Sequence, residues 1–398
     1  MKKNLIVFFL FWLGIANSFA QENLGSRDLD FSVISRKIEN QIKLDLDGRD
    51  YQKLRSINGQ KVVLKPLGLI INGQKTLPND VHTRGQSTLY FPRKSLSFDV
   101  ESSVEIQHGE INEKMSHFIL LSLSMDKYYI RNRLAFGLLQ KVGLLDFFFA
   151  FTNLQINEKS EGIYMAVQRP QDWAIHDQKS PIVIRRGYLH KIEKSKTSKS
   201  ISKQDIKSYI ESFKSIYKLI RTDSGEELYT KLSEKLDLEN YMSWLAVNYL
   251  LRNGDYTDEV FFYFDQEINR FKIIPWDYDD IFSVNPHEGS LPNSDSASLL
   301  FSKEDDLDAK IAMDPYLFEK YQEVLRKVCL TLSDELLANV FEATYSELYP
   351  YYLQEEIIQN VETDLYKDAN LEKLRYELTS SFLFLKGRRD FILGKSGN

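Results

Sequence analysis

The sequence predicts an α+β fold, with strands concentrated before residue 170 and helices after residue 205. Three observations carry this. Between residues 62 and 167, short β-branched, aromatic and aliphatic runs recur, some alternating with polar residues in the period-two pattern of a half-buried strand. From 205 to 391, apolar residues recur at helical spacing. One aromatic hairpin over 260–274 interrupts those helices.

The elements follow in chain order. Lys2 and Lys3, an apolar run over 5–15 and the small and polar residues Ala16-Asn17-Ser18-Phe19-Ala20 predict a signal peptide cut after Ala20. The apolar run is too short for an ordinary membrane span, and no later stretch is long and apolar enough for one. No cysteine stands near the cleavage point to carry a lipid. The expectation is a soluble exported protein, periplasmic or extracellular at the cell surface.

Removing residues 1–20 takes away two lysines and lowers the net charge from −6 to −8. That balance disfavours nonspecific binding to nucleic acid. The single cysteine, Cys329, excludes an internal disulfide, so stability must come from the core. With 43% hydrophobic and 13% aromatic residues, the chain can build one large unit or two packed lobes.

Strands are expected over 62–64, 67–71 and 96–100, and a hairpin pairs 154–156 with 163–167 through a turn over 157–162. Ile130, Leu134 and Leu138 form a helical stripe that stops at Gly143. The Lys- and Ser-rich residues 191–203 read as a surface loop or linker, whose charge also suits an acidic partner. Helices are expected over 205–220, 225–236, 238–251, 316–330, 333–348 and 371–391. Residues 288–308 read as a long loop, and no internal repeat is found.

Three segments suggest chemistry. Ile273-Ile274-Pro275-Trp276-Asp277-Tyr278-Asp279-Asp280 ends the aromatic hairpin with carboxylates on alternate residues. Asp277 and Asp279 can hold Mg²⁺ with water and phosphate completing the shell, although the spacing equally describes a solvated acidic turn. Thr83-Arg84-Gly85-Gln86-Ser87-Thr88, followed by Phe91-Pro92-Arg93-Lys94-Ser95, combines glycine, hydroxyls and positive charge as a phosphate-binding turn does, but is not a Walker loop. Asn253-Gly254-Asp255-Tyr256-Thr257-Asp258-Glu259 reads as a carboxylate loop able to accept a substrate proton, or as a helix C-cap at Gly254 followed by a solvated loop.

Taken in order, these segments resemble the CotH kinase family, spore-coat-type proteins with an atypical, two-lobed protein-kinase-like fold. The resemblance spans about 60–285 and includes Asp126 with Arg131-Asn132, and Glu161-Gly162-Ile163-Tyr164. It implies a domain over 21–398, with a strand-rich lobe over about 60–190 and a mainly helical lobe over 205–398. It also implies transfer of the ATP γ-phosphate to Ser or Thr of a protein substrate, with Mg²⁺ or Mn²⁺. By position, Lys94 pairs with the ATP phosphates, Arg84 and Ser87 belong to the phosphate-facing turn, and Asp255 orients the acceptor hydroxyl. Asp277 ligates the metal, Asp279 is a second ligand or supports it, and Arg131 and Asn132 fix the helix against the sheet.

The chain departs from the family pattern at Gln168, where an acidic partner of the lysine is expected, at Val260, where a metal-binding Asn is expected, and at Ser283 in place of a glycine. These departures leave open a catalytically degenerate member that binds an envelope or surface protein. A glycan hydrolase built on Asp277 and Asp279 is a third reading, since aromatic-rich exported proteins handle sugars and the paired carboxylates can flank a glycosidic bond.

Overall fold

The computed structural model describes residues 27–187, 191–257, 260–284, 299–359 and 368–394. The expected signal peptide and most of the expected loop over 288–308 lie outside these residues.

The strands form two sheets. The larger is built from β1 (Gln41–Asp45), β2 (Val63–Leu64), β3 (Gly68–Ile71), β4 (Gln74–Thr76), β5 (Pro78–Arg84), β6 (Ser95–His108), β7 (Ile111–Leu121), β8 (Phe149–Ile156) and β9 (Lys159–Gln168). Their order is β2-β5-β6-β7-β9-β8-β1-β3-β4. Neighbours are antiparallel except β1 and β8, which run parallel. The β8–β9 turn is tighter than the sequence suggested: Asn157 and Glu158 both take positive φ, the geometry that matches strand twist in a two-residue hairpin.

Both faces of this sheet are covered at its centre, so successive side chains are buried over 149–154 of β8 and 161–167 of β9. On β9, Ile163, Met165 and Val167 join the core shared with the helices, whereas Tyr164 and Ala166 join a second core of strand residues. The helix Gly48–Arg55 contributes Leu54 to that second core. The helix Arg131–Lys141 packs on the first face through Leu134, Leu138 and Leu139.

The second sheet has the order β11-β10-β12-β13, from β10 (Ile182–Gly187), β11 (Lys191–Thr197), β12 (Val260–Asp265) and β13 (Arg270–Ile274). The aromatic hairpin is therefore as expected, in the register Phe261↔Ile274 to Asp265↔Arg270. The Lys-rich segment is not. Instead of a loop, it forms β11, paired antiparallel with β10. Helices Lys203–Thr222, Gly225–Ser233, Leu238–Leu251, Asp306–Met313, Pro315–Thr331, Asp334–Tyr352 and Leu371–Ile392 supply the helical lobe. Among the described residues, no helix is long and apolar enough to cross a membrane.

Candidate functional site

Two loops are zipped together at the edge of the helical lobe. The helix Leu238–Leu251 ends in a left-handed Arg252, φ 48°, not at Gly254 as the sequence suggested. Leu251 and Arg252 then accept from Phe282 N (2.7 Å) and Ser283 N (3.1 Å), and Gly254 N donates to the Asp280 carbonyl at 2.9 Å. Gly254 answers a need for closeness, since a Cβ there would stand 2.1 Å from Asp280 Oδ2.

Asn253, fully buried, joins the loops through its side chain. Its Nδ2 donates to the Asp277 carbonyl (3.0 Å) and to Asn248 Oδ1 (3.0 Å), while its Oδ1 accepts from Asp255 N at 3.3 Å. Asn248 is fixed in turn by donating to Trp244 O at 2.9 Å. One amide thus ties the backbone of Asp255 to that of Asp277.

The Asp277–Asp279 turn is held along its whole length. Asp277 sits at φ 65°, a left-handed conformation uncommon outside glycine, asparagine and aspartate. Tyr278 N donates to Asn132 Oδ1 (3.3 Å), and Arg131 Nη1 donates to Asp279 O at 2.8 Å. Three consecutive residues are each gripped at a backbone group by a side chain from another element. Arg131 and Asn132 therefore do more than fix a helix against the sheet.

Asp126, also fully buried, sets the start of their helix by accepting from Arg131 N (2.6 Å) and Tyr128 N (3.2 Å). Burial pushes its carboxyl up to about 6, opposed by Arg131 and the backbone N–H groups. Tyr278 is buried while Asp277, Asp279 and Asp280 are half-buried.

The basic turn meets this loop through Arg84, whose guanidinium carbon lies 5.3 Å from the centre of the Trp276 ring, within range of a cation–π contact. Gly85 takes φ 91°, and a Cβ there would lie 2.2 Å from Thr88 Oγ1, which donates to Arg84 O at 3.0 Å. Ser87 is exposed at the start of the short helix Ser87–Tyr90.

Lys94 is placed differently. It is only 1% exposed, and its ammonium donates to the carbonyls of Ser56 (2.5 Å) and Phe91 (2.8 Å). Burial, with Arg55 nearby, lowers its pKa to about 8. Gln168 is not its partner, since that side chain bridges Phe148 N (3.3 Å) and Asp177 Oδ2 (2.6 Å). The carboxylate near this corner is Glu161, bound to Arg55 at 2.6 Å and Tyr51 at 3.2 Å. Arg93 is buried between the rings of Tyr164 (4.7 Å) and Tyr129 (5.5 Å).

The structure thus brings Arg84, Asp255, Asp277 and Asp279 to one region, and sets Lys94 beneath the basic turn. Sequence reasoning singled out the Asn253-Gly254-Asp255 segment but gave Asn253 no role of its own, and it missed Asn248. An Asn five residues after an Asn at a helix end was the available signal, and it becomes meaningful only once the Asp277 carbonyl is placed beside it. Among the described residues, no group of three or more His, Cys, Asp or Glu is arranged to hold a metal ion by itself. The hard oxygens of Asp277 and Asp279 suit Mg²⁺ or Mn²⁺ of the kind completed by water and phosphate.

Residues 81–392 match the family model described as CotH kinase protein. The chain belongs to this CotH kinase protein family. It is also similar to the inner spore coat protein H of Bacillus subtilis (strain 168), 22% identical over 339 residues, covering 80% of this chain and 87% of that protein. The family match begins within β5, so β1 to β4 and the helix Gly48–Arg55 precede it. Ser56, whose carbonyl holds Lys94, belongs to this preceding part.

Proposed function

We propose that this protein is an exported CotH-type kinase that transfers the γ-phosphate of ATP to Ser or Thr of a protein substrate. The observation carrying the reading is the Asn253 bridge, which locks the backbone of Asp255 to that of Asp277 within a chain of this family. A phosphoryl-transfer site needs a carboxylate on the metal and a second group positioning the attacking hydroxyl. Asp277 holds the metal, with Asp279 beside it, and Asp255 accepts a hydrogen bond from the acceptor hydroxyl.

Mg²⁺ or Mn²⁺, when bound with ATP, neutralises charge on the phosphate oxygens. This chain's own residues do the rest. Arg84 and the exposed Ser87 turn face the phosphates, with Arg84 oriented by Trp276. Lys94 contributes positive charge from beneath the turn and fixes its shape through the Phe91 carbonyl. The clamp of Asn253, Asn132 and Arg131 keeps the carboxylates at a constant separation, the preorganisation such chemistry depends on.

A second reading, a non-catalytic member that binds an envelope or surface protein, is favoured by Val260 and by the engagement of Lys94 with two carbonyls. Val260 begins β12 with no metal-donor atom in its side chain. Incubating the mature chain with radiolabelled ATP, Mg²⁺ or Mn²⁺, and a Ser/Thr-rich protein decides between them. Transfer that disappears in Asp255→Ala supports the kinase. Absence of transfer from folded protein with either metal supports the binding module.

A further inference from the structure

The molecule's charge is unevenly spread. Residues 191–221 carry nine lysines and arginines against three carboxylates, in a chain whose net charge is −6. The structure gathers them on β11, which forms one edge of the smaller sheet, on the helix Lys203–Thr222 packed beside it, and, for Lys199, on the turn between the two.

Four of the nine are engaged: Lys191 with Glu193, Lys196 with Asp172, Lys214 with Glu211, and Arg221 with Asp306. The remaining five, Lys194, Lys199, Lys203, Lys207 and Lys218, are exposed and make no ion pair among the described residues. On the helix, positions 203, 207, 214, 218 and 221 fall in one stripe opposite the buried Phe213, Ile216 and Ile220. That stripe runs about 27 Å, the length of roughly eight extended residues.

We propose that this face docks an acidic polypeptide segment lying along β11 and the lysine stripe. The strand edge supplies backbone N–H and C=O groups at the strand repeat, which an extended peptide matches with its own alternating donors and acceptors and a lipid headgroup or polysaccharide does not. The lysines supply selectivity for Asp and Glu. Lysines on an edge strand also deter self-pairing, but that role needs no continuation along a helix. The paired ends Gly187 and Lys191 of β10 and β11 lie at the same end of the sheet as the exit of β13 toward Asp277, because Arg186 pairs with Val260, and Phe261 with Ile274. A docked segment therefore runs toward the candidate site. Only that last point rests on the kinase reading, since the docking itself does not.

The test is fluorescence anisotropy of the mature chain with a labelled peptide of alternating Asp and Ser, against an Asn-Ser control. The triple variant Lys203→Glu/Lys207→Glu/Lys218→Glu and the single variant Lys194→Glu accompany the parent, with circular dichroism to establish folding. The expected result is binding of the acidic peptide only, weakened at least about tenfold by the triple variant and weakened by added salt. Equal binding of both peptides, or binding unchanged in the triple variant, overturns the proposal. Binding of phosphatidylglycerol vesicles without discrimination between the peptides assigns the lysines to an anionic lipid surface and also overturns it. Docking without phosphate transfer sinks the kinase reading alone, and transfer indifferent to the charge reversals sinks only the claim that a docked segment leads into the candidate site.

Discussion

Replacing Asn253 by Ala should damage stability and nucleotide binding together. The substitution removes the donor to the Asp277 carbonyl and to Asn248 Oδ1, and the acceptor of Asp255 N. A buried polar group left without its partner costs about 1–3 kcal/mol. Asn248 Oδ1 and the Asp277 carbonyl lose their donor in the interior, whereas the half-buried Asp255 N–H can recruit water. A water entering the space left by the amide recovers part of the loss. The net expectation is about 2–4 kcal/mol, read from urea unfolding monitored by tryptophan fluorescence. Because Asp255 and Asp277 would no longer share a rigid link, MnATP affinity measured by calorimetry should also fall about tenfold or more. A loss under about 1 kcal/mol, with MnATP affinity unchanged, would refute the idea that this amide organises the site.

Three further outcomes follow from the geometry. Arg131→Met should weaken MnATP binding and speed amide exchange over 277–280 while leaving exchange in β6 and β7 as in the parent, and Arg131→Lys should restore part of both. Gly85→Ala, at φ 91° and with Thr88 Oγ1 in the way, should cost about 1–3 kcal/mol in urea unfolding, as forced left-handed conformations do. Acid should act through Glu347, held by Arg133 (Nε to Oε2, 2.7 Å) and His108 (3.1 Å). Although burial opposes it, Arg133 leads the contacts that lower its pKa from 4.5 to about 2. A depressed carboxylate stabilises the fold above its unfolded pKa and loses that contribution as pH falls from about 4.5 toward 2. Glu347→Gln should therefore flatten the decline in melting temperature over that window, by an amount equivalent to about 2–3 kcal/mol at most.

Much of the site was legible because its residues are local. The aromatic hairpin declared itself through β-forming runs on either side of a polar turn, and the alternate spacing of Asp277 and Asp279 marked them as a pair that can point one way. The ordered motifs placed Arg84 and Asp255 in the same region. What escaped was set by tertiary contact. Asn253, Asn132 and Arg131 act by gripping backbone groups far along the chain, which no spacing announces. Lys94 looked like a surface cation in a basic turn, yet it is buried and its ammonium is held by the carbonyls of Ser56 and Phe91. The strand β11 was hidden by its composition: Ile192 is its one apolar residue, and an edge strand needs little more because one flank faces solvent. The extension of the larger sheet to β3 and β4 depended on β1 pairing parallel to β8, more than 100 residues away, a pairing no local pattern encodes.

The most direct test of the central claim is calorimetric titration of the mature chain with ATP, first in Mg²⁺ and then in Mn²⁺, beside Asp277→Ala. The account predicts metal-dependent binding in the parent and its loss in the variant, with the variant still folded. Binding that ignores the metal, persists without the Asp277 carboxylate, or is absent from folded parent protein with both metals would contradict it.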